Sequence, residues 1–194
     1  MYADGEWEEA ATEHFTAIKD HGLGSKLEGI YLGIVGTDSK REAAKKLAQS
    51  YDLDCRIYVR AEAPHAWEQL TLETLRRHCA VNDGNVLYAH TKSAANHTPI
   101  NIGWRSSMCY YNVVKWEEAV AHLETADTVG CHWVNNAIWG GNYWWATARH
   151  IRKLPPLKHQ NRWQAEEWIG SIADPIIYDM NPGWPDPRLF TTSW

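Results

Sequence analysis

Leu27-Glu28-Gly29-Ile30-Tyr31-Leu32-Gly33-Ile34-Val35-Gly36 is a short apolar run rich in strand-forming residues and closed by glycine. It reads as a strand buried on both faces, the kind found in parallel sheets covered by helices. Upstream, Gly5–Asp20 reads as an amphipathic helix with Trp7, Ala11, Phe15 and Ile18 on one face, stopped by His21-Gly22-Leu23-Gly24. Downstream come a helix over Ser39–Tyr51, a strand over Cys55–Val59 and a proline-initiated helix over Pro64–Cys79 carrying Trp67, Leu70, Leu72 and Leu75. The turn Asn82-Asp83-Gly84 leads into a third strand, Asn85–Ala89, that ends in His90-Thr91-Lys92. Strand alternating with helix predicts an α/β domain: a mostly parallel sheet with right-handed crossovers, flanked by helices. Ligands of such sheets bind at the carboxyl ends of the strands, here Gly36-Thr37-Asp38 and His90-Thr91-Lys92.

The second half reads as one or two helices over Trp104–Tyr111 and Lys115–Thr125, a fourth strand over Thr128–Val134, and helices over Thr147–Lys153 and Arg162–Ile172. Prolines accumulate from Asp174 onward, so residues 174–194 are expected to wrap over the domain, residues 1–173, without regular structure. No repeat or low-complexity linker divides the chain. Its 194 residues suit one domain with a sizeable core. Nucleotide-binding α/β domains usually open with a strand, whereas this chain enters a helix soon after Met1-Tyr2-Ala3-Asp4. Either the first strand is vestigial or the chain starts late relative to its relatives.

A net charge of −5 gives no footprint for unaided nucleic-acid binding, although basic residues cluster in Arg149–Lys158. Cys55, Cys79, Cys109 and Cys131 form no C-x-x-C pair and read as reduced, buried thiols of a cytoplasmic protein. No signal peptide is read in the acidic N-terminus, and no apolar run is long enough to span a bilayer.

Tryptophan is over-represented, at 12 residues against 2 Phe, which weights the aromatic content toward rings with a hydrogen-bonding edge. Trp139-Gly140-Gly141-Asn142-Tyr143-Trp144-Trp145-Ala146 concentrates it. Paired glycines let another molecule approach the backbone, and indoles stack on the C–H faces of a sugar. Trp139, Asn142 and Trp144 are therefore the predicted sugar contacts. Trp133, Trp145 and Trp168 read as core, and Trp7, Trp67 and Trp116 as helix packing.

Four segments together resemble small glycosyltransferases of the GT-A type, a Rossmann-like fold that uses nucleotide-diphosphate sugars. They are Tyr2-Ala3-Asp4-Gly5-x-Trp7 with His21-Gly22-Leu23, Leu87-Tyr88-Ala89-His90-Thr91-Lys92, and Gly103-Trp104-Arg105-x-x-Met108 with Trp116. The fourth runs from Gly140-Gly141-Asn142-Tyr143-Trp144-Trp145-Ala146 through Leu154-Pro155 to Arg162-x-x-Ala165-Glu166-x-Trp168-Ile169. The resemblance implies sugar transfer from a nucleotide-diphosphate donor to an acceptor hydroxyl of a glycan, a protein or a hydroxylated nucleobase of modified DNA. An inverting reaction needs a carboxylate to take the acceptor proton. The resemblance gives that role to Glu166, one helical turn from Arg162, with Glu167 as the natural control; the alternative is a surface ion pair.

The resemblance further implies donor binding by Tyr2, Ala3, His90, Thr91, Lys92 and Arg105. Sugar or acceptor binding falls to Trp139, Gly140, Gly141, Asn142, Trp144 and Arg162. Where the fold usually carries a metal-holding Asp-x-Asp, this chain reads His90-Thr91-Lys92. No metal ligand is assigned. Mn²⁺ or Mg²⁺ would be an auxiliary, with Lys92 supplying positive charge and His90 a donor to phosphate. Arg105 is expected at a helix start suited to an anion, or paired with a carboxylate. The same tryptophan-rich loop would serve a non-catalytic carbohydrate-binding protein, or a transferase that has lost its metal site.

Overall fold

The structure, a computed structural model, describes residues 3, 5–62, 68–92, 94–157 and 163–182. Helix α1 spans Trp7–Asp20 and ends where Gly22 takes a left-handed φ of 73°. Strand β1, Gly29–Val35, pairs in parallel with β2, Arg56–Glu62, through the crossover helix α2, Asp38–Gln49. Beside the end of β1, the Ala3 amide donates to the Val35 carbonyl at 2.7 Å. Helix α3 follows over Gln69–Val81; of the helix predicted from Pro64, residues 64–67 lie outside the described residues.

The mostly parallel sheet is not what forms. β3, Asn85–Tyr88, makes no ladder with β1 or β2 among the described residues and runs antiparallel to β7, Trp144–Thr147. β7 is also antiparallel to β4, Thr128–Gly130, giving a mixed four-stranded sheet in the order β3-β7-β4-β8. β8, Ile177–Asp179, lies in the stretch predicted to be irregular and pairs in parallel with β4. Its side chain explains its place: the Asp179 carboxylate accepts from the His132 amide at 3.0 Å and the Trp133 amide at 2.7 Å. The predicted fourth strand breaks at that point, and β5 (Trp133–Val134) turns back into β6 (Ile138–Trp139) through left-handed Asn135 and Asn136.

Helix α4 begins earlier than predicted, at Pro99, and runs to Cys109. Thr98 caps it through Oγ1, which accepts from the Asn101 amide at 3.3 Å, and proline occupies the first turn. A π-turn over Tyr110–Val114 joins it to α5, Trp116–His122. α6 is Ala148–Lys153, and α7 is one short turn, Trp163–Glu167, continued as a 3₁₀ turn to Gly170.

The tryptophan-rich segment owes its shape to strand alternation. Successive residues of β7 point to opposite faces, and both faces are covered. Tyr143 and Trp145 enter the cluster built with Met108, Val113 and Val129, while Trp144 and Ala146 enter the cluster of Leu72, Tyr88, Ile151 and Ile169. Trp139 is fully buried with Nε1 donating to Thr128 Oγ1 at 2.9 Å. Gly130 makes room for it, since a Cβ there would stand 2.9 Å from the indole. Gly130→Ala should therefore cost about 2 kcal/mol by overpacking, lowering the thermal midpoint by roughly 4–8 °C in calorimetry.

Candidate functional site

The end of β3 and the glycine loop meet directly. His90, just past β3, donates from Nε2 to the Gly141 carbonyl at 2.7 Å. The loop is a tight turn with left-handed Gly141 (φ 88°) and Asn142 (φ 53°), closed by the Asn142 amide on the Trp139 carbonyl at 2.9 Å. The Asn142 side chain is buried and fully used. Its Oδ1 accepts from Trp144 Nε1 at 2.8 Å, and its Nδ2 donates to Glu68 at 2.6 Å and to the Ala165 carbonyl at 3.3 Å.

Glu68 is the residue that sequence reasoning missed. It stands at the N-cap of α3 and makes no side-chain cap. Instead Oε2 accepts from Tyr88 Oη at 3.0 Å and from Asn142, and Oε1 faces His90 Nδ1 at 3.4 Å. Burial disfavours its charged form, but His90, Asn142 and Tyr88 together outweigh it and lower its pKa. Glu68 is therefore a carboxylate at neutral pH. No local signal marks it, because its hydrogen-bond partners lie 20 and 74 positions away.

Lys92, two residues beyond His90, places Nζ 4.2 Å from the centroid of the Trp104 ring, on a half-buried indole of α4. Arg105 is the correction beside it. It lies inside α4, not at its start, and is 1% exposed. Its guanidinium donates to Glu9 at 2.7 Å and Glu13 at 2.7 Å, with a longer contact to the Lys92 carbonyl at 3.5 Å. It holds the Lys92 turn against α1 and has no face turned toward a phosphate. His90, expected to donate to phosphate, has both ring nitrogens turned to protein acceptors.

The remaining predicted residues divide clearly. Trp139 and Trp144 are 0% exposed and present no face to a sugar. The paired glycines serve the same packing. A Cβ on Gly141 would stand 2.5 Å from Met108 Sδ, and one on Gly140 3.1 Å from the His132 carbonyl. Ala3 and Thr91 are buried. Tyr2 and Arg162 lie outside the described residues. Glu166 is half-buried on α7, directly after the Ala165 whose carbonyl takes the Asn142 amide. Hydrogen bonds thus link Ala165, Asn142 and Glu68, and the His90 ring joins them through its 3.4 Å contact with Glu68 Oε1.

Behind the loop, His14 of α1 stacks on Tyr143 with ring centroids 5.2 Å apart. Burial, with Arg105 and His90 adding to it, pushes the His14 pKa down to about 3. Burial raises the thiol pKa of Cys79 to about 11 and lifts Cys109 and Cys131 as well, so these cysteines are protonated and inert. A groove of about 410 Å³ runs along α1, lined by Glu9, Thr12, Glu13, Thr16 and Asp20. Its acidic lining does not suit a diphosphate. Among the described residues, no set of three or more His, Cys, Asp or Glu is placed to hold a metal ion, and no helix is long and apolar enough to cross a membrane.

The model of a protein family described as a domain of unknown function, DUF8361, matches residues 3–167. The chain belongs to that family. The match covers Glu68, His90, Lys92, the glycine loop and Glu166, and stops short of β8. No curated protein and no solved structure matches the chain.

His14 has a measurable consequence. Unfolded it titrates near 6.5, folded near 3. Between those values the unfolded chain holds the extra proton, so stability drops as the pH is lowered, by about 1.4 kcal/mol per unit from this group. His14→Phe should keep the stack on Tyr143 and remove that contribution. Urea unfolding between about pH 6.5 and 4.5 should show a shallower pH slope than wild type, by about one proton.

Proposed function

We propose that the protein is a nucleotide-sugar-dependent glycosyltransferase whose reaction centre lies between the end of β3, the Gly140–Asn142 loop and α7. One observation carries the reading: Asn142 bonds both Glu68 beside His90 and the Ala165 carbonyl next to Glu166. Two of the segments that carry the resemblance to GT-A enzymes, the one ending in His90-Thr91-Lys92 and the block from Gly140 to Ile169, are joined there through Glu68, which lies outside both.

In this reading Lys92 faces the donor diphosphate. Its ammonium is held on Trp104 by a cation–π contact of modest strength, which a diphosphate would readily replace. The acceptor hydroxyl attacks the anomeric carbon while the bond from that carbon to the diphosphate oxygen breaks. The electron pair leaves with the nucleotide diphosphate, and Glu166 takes the hydroxyl proton. Attack opposite the leaving group inverts the anomeric centre. In this reading the lysine ammonium takes the part that a divalent cation plays in related enzymes, so transfer should depend weakly on Mn²⁺ or Mg²⁺. The acceptor class stays as the resemblance implies: a glycan, a protein or a hydroxylated nucleobase.

Donor turnover with UDP-glucose, UDP-galactose and GDP-mannose, with Mn²⁺ and with EDTA, checks the reading. Expected are transfer or slow donor hydrolysis in at least one case, and an EDTA effect below tenfold. Glu166→Gln should lower kcat by about 10²–10⁴ while Glu167→Gln leaves it within twofold. Lys92→Ala should raise the donor KM; an unchanged donor affinity would remove Lys92 from the site. Binding of free sugars without regard to the nucleotide would instead indicate a carbohydrate-binding protein.

A further inference from the structure

We propose that Glu68 is the positioning residue of this reaction centre: a single carboxylate that holds both the His90 ring and the Asn142 side chain. The ligand's identity rests on the glycosyl-transfer reading; the positioning itself rests on geometry.

Three observations support it. The first is what Glu68 forgoes. It stands at the amino end of a thirteen-residue helix and makes no side-chain cap there, turning its carboxylate instead to Tyr88, His90 and Asn142. The second is convergence. Tyr88 comes from β3, His90 from the segment just beyond it, and Asn142 from the glycine loop, and all three face one carboxylate. Tyr88 and Asn142 donate to the same oxygen, Oε2, which leaves Oε1 turned to the His90 ring. The third is what the two partners do next. His90 carries the contact onward to the Gly141 carbonyl, and Asn142 carries it to the Ala165 carbonyl at the residue before Glu166. Glu68 thereby ties the segment that carries Lys92 to the segment that carries Glu166, without itself touching either reacting group.

Replacing the carboxylate by an amide of the same shape tests this. Glu68→Gln turns an acceptor-only group into one that also donates. A carboxamide cannot accept from Tyr88 and Asn142 through one oxygen and still offer His90 Nδ1 a second acceptor. Near-UV circular dichroism should remain that of wild type. Hydrogen exchange at the Asn142 amide, closed on Trp139 in the wild-type protein, should accelerate at least tenfold, and the His90 Nε2–H signal in ¹⁵N-histidine spectra should broaden or vanish. With UDP-glucose, UDP-galactose or GDP-mannose, whichever the wild type turns over, KM should rise at least tenfold with kcat changed less than threefold. Glu166→Gln should show the opposite split.

Glu68→Asp, one methylene shorter with the charge retained, is measured alongside. If Glu68→Gln does not fold, a folded Glu68→Asp should show the same faster Asn142 exchange. Unchanged Asn142 exchange and an unchanged His90 signal in a folded Glu68→Gln protein overturn the proposal, whatever the kinetics. Loss of both signals in a chain whose wild type turns over no nucleotide sugar overturns the glycosyl-transfer reading and leaves the positioning role standing.

Discussion

A buried primary amide must have its polar atoms met, and Asn142 meets that demand from three separate parts of the fold. The carboxylate of Glu68, the carbonyl of Ala165 and the indole N–H of Trp144 all converge on it. An unpaired buried amide costs several kcal/mol relative to water, so the network is made whole or the loop does not close. Closure places Gly141 with its left-handed backbone against Met108 and offers its carbonyl to His90. The order of events is therefore physical: the amide fixes the turn, the turn fixes the carbonyl, and the carbonyl fixes the imidazole.

Charge is arranged around that centre with equal economy. The chain is acidic overall, and α1 brings Glu9 and Glu13 close to the Lys92 turn. Buried Arg105 takes both carboxylates and reaches the Lys92 backbone, while the Lys92 ammonium lies over Trp104. A buried guanidinium of this kind is weak evidence for stability in itself, because desolvation offsets much of its Coulomb attraction. Its value here is placement: removing it would leave two carboxylates facing the candidate cation.

The tryptophans answer to the same logic. Five of their N–H groups find partners inside the protein: Trp139 on Thr128, Trp144 on Asn142, Trp145 on the Asn112 carbonyl, Trp168 on the Pro155 carbonyl and Trp116 on the His21 carbonyl; the buried Trp133 N–H meets no acceptor among the described residues. In a domain with only two phenylalanines, indoles fill the core and hydrogen-bond across it at once. Gly130, Gly140 and Gly141 are the clearances that let backbone, Trp139 and Met108 approach one another. Glycines between tryptophans were read as room for a ligand; they are room for the protein's own side chains.

What the sequence determined by itself is local. Apolar periodicity, glycine stops and β-rich runs placed α1, β1, α2, β2, β3 and α6 close to where they form, because those signals act within a few residues. The Thr98-Pro99 start of α4 was equally local and was passed over, which moved Arg105 from a helix end to a helix interior. Tertiary structure alone decided the rest. Whether β3 docks beside β1 or against β7 depends on a strand some sixty positions away, and β8 gains its ladder only because β4 has an open edge. The same holds at the site. His90, Lys92, Asn142 and Glu166 stand in the segments that carry the resemblance and are named from them. Glu68 is not, since a carboxylate just ahead of a helix looks like any other until folding brings Tyr88, His90 and Asn142 to it. Periodicity carries information over one or two turns of chain, whereas a hydrogen-bonded cluster is defined by positions that only the packed fold brings within 3 Å or so of each other.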